Sequence, residues 1–299
     1  MTLGRHDIDT DKNESLNVGT DSFLLFYDPK YLSLQPFKHL FSFENDSFES
    51  HFDIEDDTAT SIPFSPFGGI KLKKPANLQD FHNYMDGLIM RLKGLAVKKI
   101  TLKAPPAYYA NFVPLSWLEQ HGFQTDFTDT NQFVDLKKPI ELHQMQNRKL
   151  RRAHGFNIRN CPLEEFPAIH QFIANCRKAQ NLTINISLEK LQNLVEQFPD
   201  RYEAFVAERN GQIASAVILA YPAAEVAYYY LPATHPDFKK DSPMVPLLNH
   251  IYHHCKKLDY LYFDLGISSI EGTIQASLAQ FKTRMGASSS VKPQMKLNL

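Results

Sequence analysis

Cysteine is too scarce here to serve as a scaffold. Cys161, Cys176 and Cys255 are the only three in 299 residues, widely spaced and without a C-x-x-C pair, which excludes a disulfide framework and a zinc site. Long apolar runs are missing as well, so no membrane span is predicted. Neither sign of charge is in excess: 32 Lys and Arg stand against 33 Asp and Glu, a formal net charge of −1. An anionic partner must therefore be met by a local basic patch and not by the field of the whole molecule, which also argues against extended nucleic-acid contact and against DNA. The 12 histidines contain no H-E-x-x-H, and His250, His253 and His254 offer only one pair at ligand-compatible spacing, so no metal is expected. Residues 1–11 lack the basic and apolar blocks of a secretion leader, which predicts a cytoplasmic protein, and the polar first 20 residues predict a frayed start.

What is present is a core-building composition. Hydrophobic residues make up 43% of the chain, and the length suffices for two domains of ordinary size. The most informative stretch is 225–286. Residues 226–231, with Tyr228, Tyr229 and Tyr230 at the centre, have strong strand propensity. A polar, proline-broken loop follows, and then Met244, Leu247, Leu248, Ile251, Cys255 and Leu258 recur at three- and four-residue spacing, the apolar stripe of a helix. Pro243 fits its first turn, with Ser242 as N-cap. Residues 260–265 read as a second strand, parallel to the first through that crossover, and Gly266 ends it. Ile274, Leu278, Phe281 and Met285 mark a last helix closed by Gly286.

The first half repeats this order. Residues 23–40 predict a helix leading to a short strand near 40–43, residues 46–60 a strand pair or a mobile loop, and residues 63–72 an extended segment with Gly68 and Gly69. Leu78, Phe81, Met85, Leu88, Ile89 and Leu92 share one helical face. Residues 97–103 are a strand, 108–121 a helix capped by Gly122, and 123–136 two strands around a polar turn at 128–131. The matching order predicts an α/β (α+β) chain of two similar domains, 1–142 and 143–299. At the head of the second, Arg148, Lys149, Arg151, Arg152 and Arg159 fall within twelve residues. They form either a solvated face or a phosphate-holding element. Helices at 166–175 and 188–198 and a hairpin about Asn210-Gly211 complete it.

Taken together, AYYYLPAT at 227–234, the Pro-Met-x-Pro of 243–246, YFDLG at 262–266 and FKTRMGA at 281–287 resemble the FemABX-type peptidyltransferases. Those proteins carry two N-acyltransferase (GNAT) domains in tandem, each a mixed twisted sheet flanked by helices. Arg148-x-x-Arg151-Arg152-Ala153 adds to the resemblance, which runs over nearly the whole chain from about Phe23.

The resemblance implies an acyltransferase, N-acetyltransferase-like or aminoacyl-transferring, that moves an acyl group from an activated ester to a small-molecule or peptide amine in an interdomain cleft. GNAT domains hold acetyl-CoA, or another acyl-CoA, by its pyrophosphate at a glycine-rich helix N-terminus. Here the corresponding loop, 237–243, has no glycine. Lys239, Lys240 and Ser242, with Arg151 and Arg152, are the candidates for that contact, and aminoacyl-tRNA is the alternative donor. Lys282 lies about 70° off the stripe of the last helix; in the family a lysine here serves the reacting ester, and alternatively it is a surface lysine. Asp264, at a strand's C-terminal end, either orients the attacking amine or caps a turn. Tyr230, which shares a sheet face with Tyr228, is a candidate donor to the leaving group. Ser65, Phe67, Gly68 and Phe281 are candidate acceptor-lining residues. The alternatives are a non-catalytic peptide- or glycan-binding module that keeps the tandem fold, and an RNA contact through residues 148–159.

Overall fold

The computed structural model of the chain describes Leu16, residues 23–153 and residues 155–299. The expected frayed start lies outside these, apart from Leu16, which bridges to Ala76.

In chain order the first half holds α1 (Pro29–Ser33), β1 (Leu40–Glu44), β2 (Phe48–Glu55), β3 (Thr58–Ser61), β4 (Lys71–Leu72), α2 (Leu78–Gly94), β5 (Lys99–Lys103), α3 (Leu115–Gln120) and β6 (Gln124–Asp135). The second holds α4 (Gln144–Arg152), β7 (Asn157–Cys161), α5 (Phe166–Lys178), α6 (Leu188–Gln197), β8 (Tyr202–Arg209), β9 (Gln212–Ala223), β10 (Val226–Thr234) and α7 (Met244–Lys257). It continues through β11 (Tyr262–Ile267), the short β12 (Ser269–Ile270) and β13 (Thr273–Ile274), α8 (Ala276–Arg284) and β14 (Ser288–Asn298). In each half a strand runs parallel to the next through a crossover helix: β3 with β5 around α2, and β10 with β11 around α7. A capping box starts α2, with Asn77 accepting from the Asp80 amide and Asp80 from the Asn77 amide. Ser242 does not cap α7; it sits left-handed at φ 56, and Pro243 occupies the cap position without a side-chain bond.

The two like-built halves share one sheet of twelve strands, ordered β1–β2–β3–β5–β14–β6–β11–β10–β9–β8–β7 with β4 against β2. The join is an exchange. β14, from the second half, pairs with β5 of the first, while β6, from the first half, pairs with β11 of the second, and the two exchanged strands pair with each other. This corrects the expectation of two strands across 123–136. β6 is a single strand because it has a partner on each side. The polar residues that mimic a turn are polar because Asn131 and Gln132, both 1% exposed, make buried hydrogen bonds. The segment 108–121 is helical only over Leu115–Gln120, with Asn111 left-handed at φ 66 before it.

Three cores follow. One packs α2 on the first half of the sheet around Phe48, Phe52 and Phe81. A second packs α7 on the second half around Tyr252 and Phe263. The third joins Leu25, Phe26, Tyr31 and Phe67 of the first half to Ile169 and Leu191 on α5 and α6, so the halves are cemented by shared apolar burial. Among the described residues no helix is long and apolar enough to cross a membrane.

Gly286 ends α8 at φ 89, and a Cβ there would stand 2.9 Å from the Glu141 carbonyl oxygen, a backbone atom that cannot swing aside. We expect Gly286→Ala to cost about 2 kcal/mol, read as a lowered thermal midpoint.

Candidate active site

The site begins where β10 and β11 part. They pair only from Val226–Tyr262 to Tyr228–Asp264. Beyond that, a bulge lies between Asp264 and Gly266, and Gly266 takes φ 74, a backbone state that suits glycine. On the other side of β10 the register slips between Tyr229 and Leu231. Side chains alternate across a strand: Tyr229 turns into the core, its hydroxyl 3.1 Å from Met244 Sδ. Tyr228 and Tyr230 face the other way, into a crevice of about 440 Å³. First-half residues Tyr31, Phe64 and Ser65 close one wall, and Arg177 on α5 and Lys190 on α6 another. Burial holds the Tyr230 hydroxyl above its usual range, so it stays protonated.

Lys282 lies in the wall of this crevice, its ammonium on the carbonyl of Ile267, a lining residue. The expected apolar stripe holds only in part: Ile274 falls on β13 before the helix and is 56% exposed, Leu278 is 41% exposed, Met285 is buried, and Lys282 is only 3% exposed. The reason is the bulge. Parting strands release the carbonyls of Gly266 and Ile267, and the Lys282 ammonium donates to them at 2.9 and 2.7 Å. An ammonium has three donors, so one N–H is left without an acceptor among the described residues. Burial pushes Lys282 down to about 8, with Asp264 pulling the other way. It is the charged form that fits here.

Asp264 is enclosed, 3% exposed. Its Oδ2 accepts from the Tyr109 hydroxyl at 2.8 Å, and Oδ1 from Asn131 Nδ2 at 2.9 Å and the Gly266 amide at 2.8 Å. With both oxygens engaged it ties the loop at 108–109 and β6 to β11, and it holds Lys282 toward its charged state by position. Burial and this carboxylate together raise the Tyr108 and Tyr109 hydroxyls.

Of the other candidates, Ser65 lines the crevice, donating to the Ile62 carbonyl at 2.9 Å and to that of Phe67. Phe67 is packed between Phe26 and Tyr109, and Gly68 lies so close that a Cβ would stand 2.8 Å from Ser61 Oγ, so both belong to packing. Phe281 packs half-buried against the α7 core. Arg151 and Arg152 stand exposed at the end of α4, outside the crevice lining. Lys239 and Lys240 stand exposed on the 3-10 turn before Ser242, where Asp241 already pairs with Arg209 at 2.6 Å. The start of α7 does not fit a coenzyme A pyrophosphate. Pro243 and Pro246 have no N–H, the Val245 amide is spent on Ser242, and Met244 alone of the first turn retains a free donor.

Two residues at the crevice went unread in the sequence. Lys103, at the end of β5, and Lys292, on β14, line both the crevice and a second recess of about 330 Å³. A signal existed: Val291, Pro293, Met295 and Leu297 alternate with polar residues, the period of a strand, but a central proline argues against one. Burial pushes Lys292 down to about 8. A lysine that folding drives below its free value costs stability while both states are charged, and the cost fades as pH rises towards the free value of about 10.4. Lys292→Met should therefore melt higher than wild type at pH 7, and the gap should shrink between pH 8 and about 10.

Among the described residues, no group of three or more His, Cys, Asp or Glu side chains could hold a metal. Residues 143–282 match the family model described as an acetyltransferase (GNAT) domain. By sequence, no curated protein matches the chain. Among solved structures, FemX superposes with a TM-score of 0.65 at 11% identity, over 96% of this chain and 98% of its own. L-PGS from Bacillus licheniformis gives 0.62 at 11% identity, over 88% and 85%. The C-terminal domain of a putative lysylphosphatidylglycerol synthetase from Agrobacterium fabrum gives 0.61 at 14% identity, over 87% and 83%.

Proposed function

We propose an acyltransferase that works in the crevice between the two halves, because residues 143–282 match the GNAT acetyltransferase domain model and the chain superposes on FemX over nearly its whole length. An amine nitrogen attacks the carbonyl carbon of an activated ester, a C–N bond forms, and the carbonyl electron pair moves onto oxygen. Collapse of that intermediate breaks the C–O bond. The free N–H of Lys282, fixed by its two carbonyl contacts, is the donor for the transient oxyanion. Tyr230, protonated and open to the crevice, gives its proton to the leaving oxygen, and the proton lost by the amine returns the tyrosine to neutrality. Asp264 keeps Lys282 charged without touching substrate.

The donor is an aminoacyl ester, as on aminoacyl-tRNA, and not an acyl-CoA, because the start of α7 lacks the amides a pyrophosphate would need. The acceptor is a small-molecule or peptide amine. The single observation that carries this reading is a buried ammonium with a spare donor at the point where β10 and β11 separate. The test is release of labelled amino acid from a charged tRNA pool, with and without amine acceptors. Release or transfer that requires Lys282 supports the reading. Stabilisation by acetyl-CoA would move the donor to coenzyme A. A crevice that binds peptide or glycan with no turnover would leave the non-catalytic module.

A further inference from the structure

The charged lining of the crevice has one sign. Lys103, Arg177, Lys190 and Lys292 face it, and among the described residues no carboxylate does. None of the four forms an ion pair among the described residues: Lys103 reaches only the Pro63 carbonyl at 3.5 Å, Arg177 that of Thr183 at 3.4 Å, and Lys190 lies 5.3 Å from the Phe64 ring centre. Lys292 has no hydrogen-bond partner at all among them. Cations gathered in a concave, half-buried place without counter-charge raise the local concentration of anions and hold them.

The strand exchange sets two of these cations side by side. Lys103 on β5 pairs with Gln294 on β14. Lys292 is two residues earlier on the same strand, so both ammonium groups rise from the same sheet face as diagonal neighbours, about 7–8 Å apart at the backbone. The other charges facing Lys292 come from three elements: Asp129 opposite it on β6, Asp264 on β11 and Lys282 on α8. Asp129 is already engaged, its Oδ1 accepting from Ser269 Oγ at 2.6 Å and the Gly272 amide at 3.0 Å. Asp264 already accepts three hydrogen bonds. On the side of the second recess the two lysines face the carboxylates of Glu271 and Asp129, whereas the crevice lining holds none among the described residues, so the crevice is the side that favours an anion.

We propose that Lys103 and Lys292 form an oxyanion subsite on the crevice floor that takes a phosphate or carboxylate carried by the acceptor amine. The acceptor is then an anionic amine and not a neutral one. The assignment to the acceptor rests on the acyl-transfer reading; the anion site itself does not.

Isothermal titration of the full chain with inorganic pyrophosphate and, separately, with citrate tests it. Binding should weaken at least tenfold in Lys292→Met and in Lys103→Met, stay within a few-fold in Lys292→Arg, and be unchanged in the Arg151→Ala/Arg152→Ala double variant. Methionine keeps the apolar length of the stem, and melting curves check that each variant folds. Binding should also take up protons near pH 8, because an anion restores the charge that burial removes, seen as heats that change with the ionisation enthalpy of the buffer. The pair of anions separates the sources: preference for pyrophosphate assigns a phosphate, preference for citrate a carboxylate. Binding that survives both lysine variants, or that is lost with the α4 arginines, overturns the subsite. Transfer to acceptors with no competition from either anion overturns it while leaving the acyltransferase standing, whereas anion binding without any transfer upholds the site and sinks the reaction.

Discussion

Lys282→Met should lower kcat by about 100- to 1000-fold while leaving KM within a few-fold, the loss expected when one preorganised oxyanion donor is removed. Methionine keeps the stem in its channel but abandons the carbonyls of Gly266 and Ile267, so a modest loss of stability, about 1–3 kcal/mol, should accompany it. The two effects are separable by measuring rate well below the melting point. The pH profile adds a sign. Lys282 serves as the ammonium, and burial has brought it down to about 8, so wild-type kcat should fall as pH rises through 8. Lys282→Arg stays charged in this range and should lose that alkaline limb at a reduced absolute rate. An unchanged kcat in Lys282→Met, or an alkaline limb that persists in Lys282→Arg, would remove this lysine from the reaction.

The parts of the molecule that could be read from the sequence are those fixed by local rules. The α7 stripe, the Asn210-Gly211 hairpin and the parallel pair either side of α7 follow from periodicity and turn chemistry, and they form. The tyrosine alternation correctly put Tyr228 and Tyr230 together and Tyr229 apart. What could not be read depends on contacts made at long range. The polar 128–131 segment looks like a turn until β11 and β14 arrive on its flanks to use its amides and side chains. Lys282 looks like the edge of a stripe until the bulge at Gly266 frees two carbonyls for it to bind. Lys103 and Lys292 are separated by most of the chain and meet only because of the strand exchange.

Asp264→Ala should destabilise the fold by about 4 kcal/mol, lowering the thermal midpoint by roughly 5–10 °C. The carboxylate accepts three hydrogen bonds at 2.8–2.9 Å, and each is charge-assisted. Its removal strands the Tyr109 hydroxyl, one donor of Asn131 and the Gly266 amide in a place water does not reach, and it takes away the charge that favours the ammonium of Lys282. Asp264→Asn keeps the shape but trades a full charge for a partial one and, even with its NH2 turned to the Oδ2 side, meets the Tyr109 hydroxyl with a donor, so it should recover less than half of the loss. Differential scanning calorimetry of the two variants decides the matter: a midpoint shift under about 2 °C for Asp264→Ala would show the carboxylate to be incidental to the fold.

The exchanged strands also bear on how the molecule is made. As it leaves the ribosome, the first half emerges with a gap in its sheet beside β5 that only β14 fills, roughly 190 residues downstream. Until that segment arrives, β5 offers an open edge to any passing extended chain. During synthesis the early portion must therefore be guarded or remain loose, and the finished protein should come apart in one transition, since neither portion can keep its sheet whole alone.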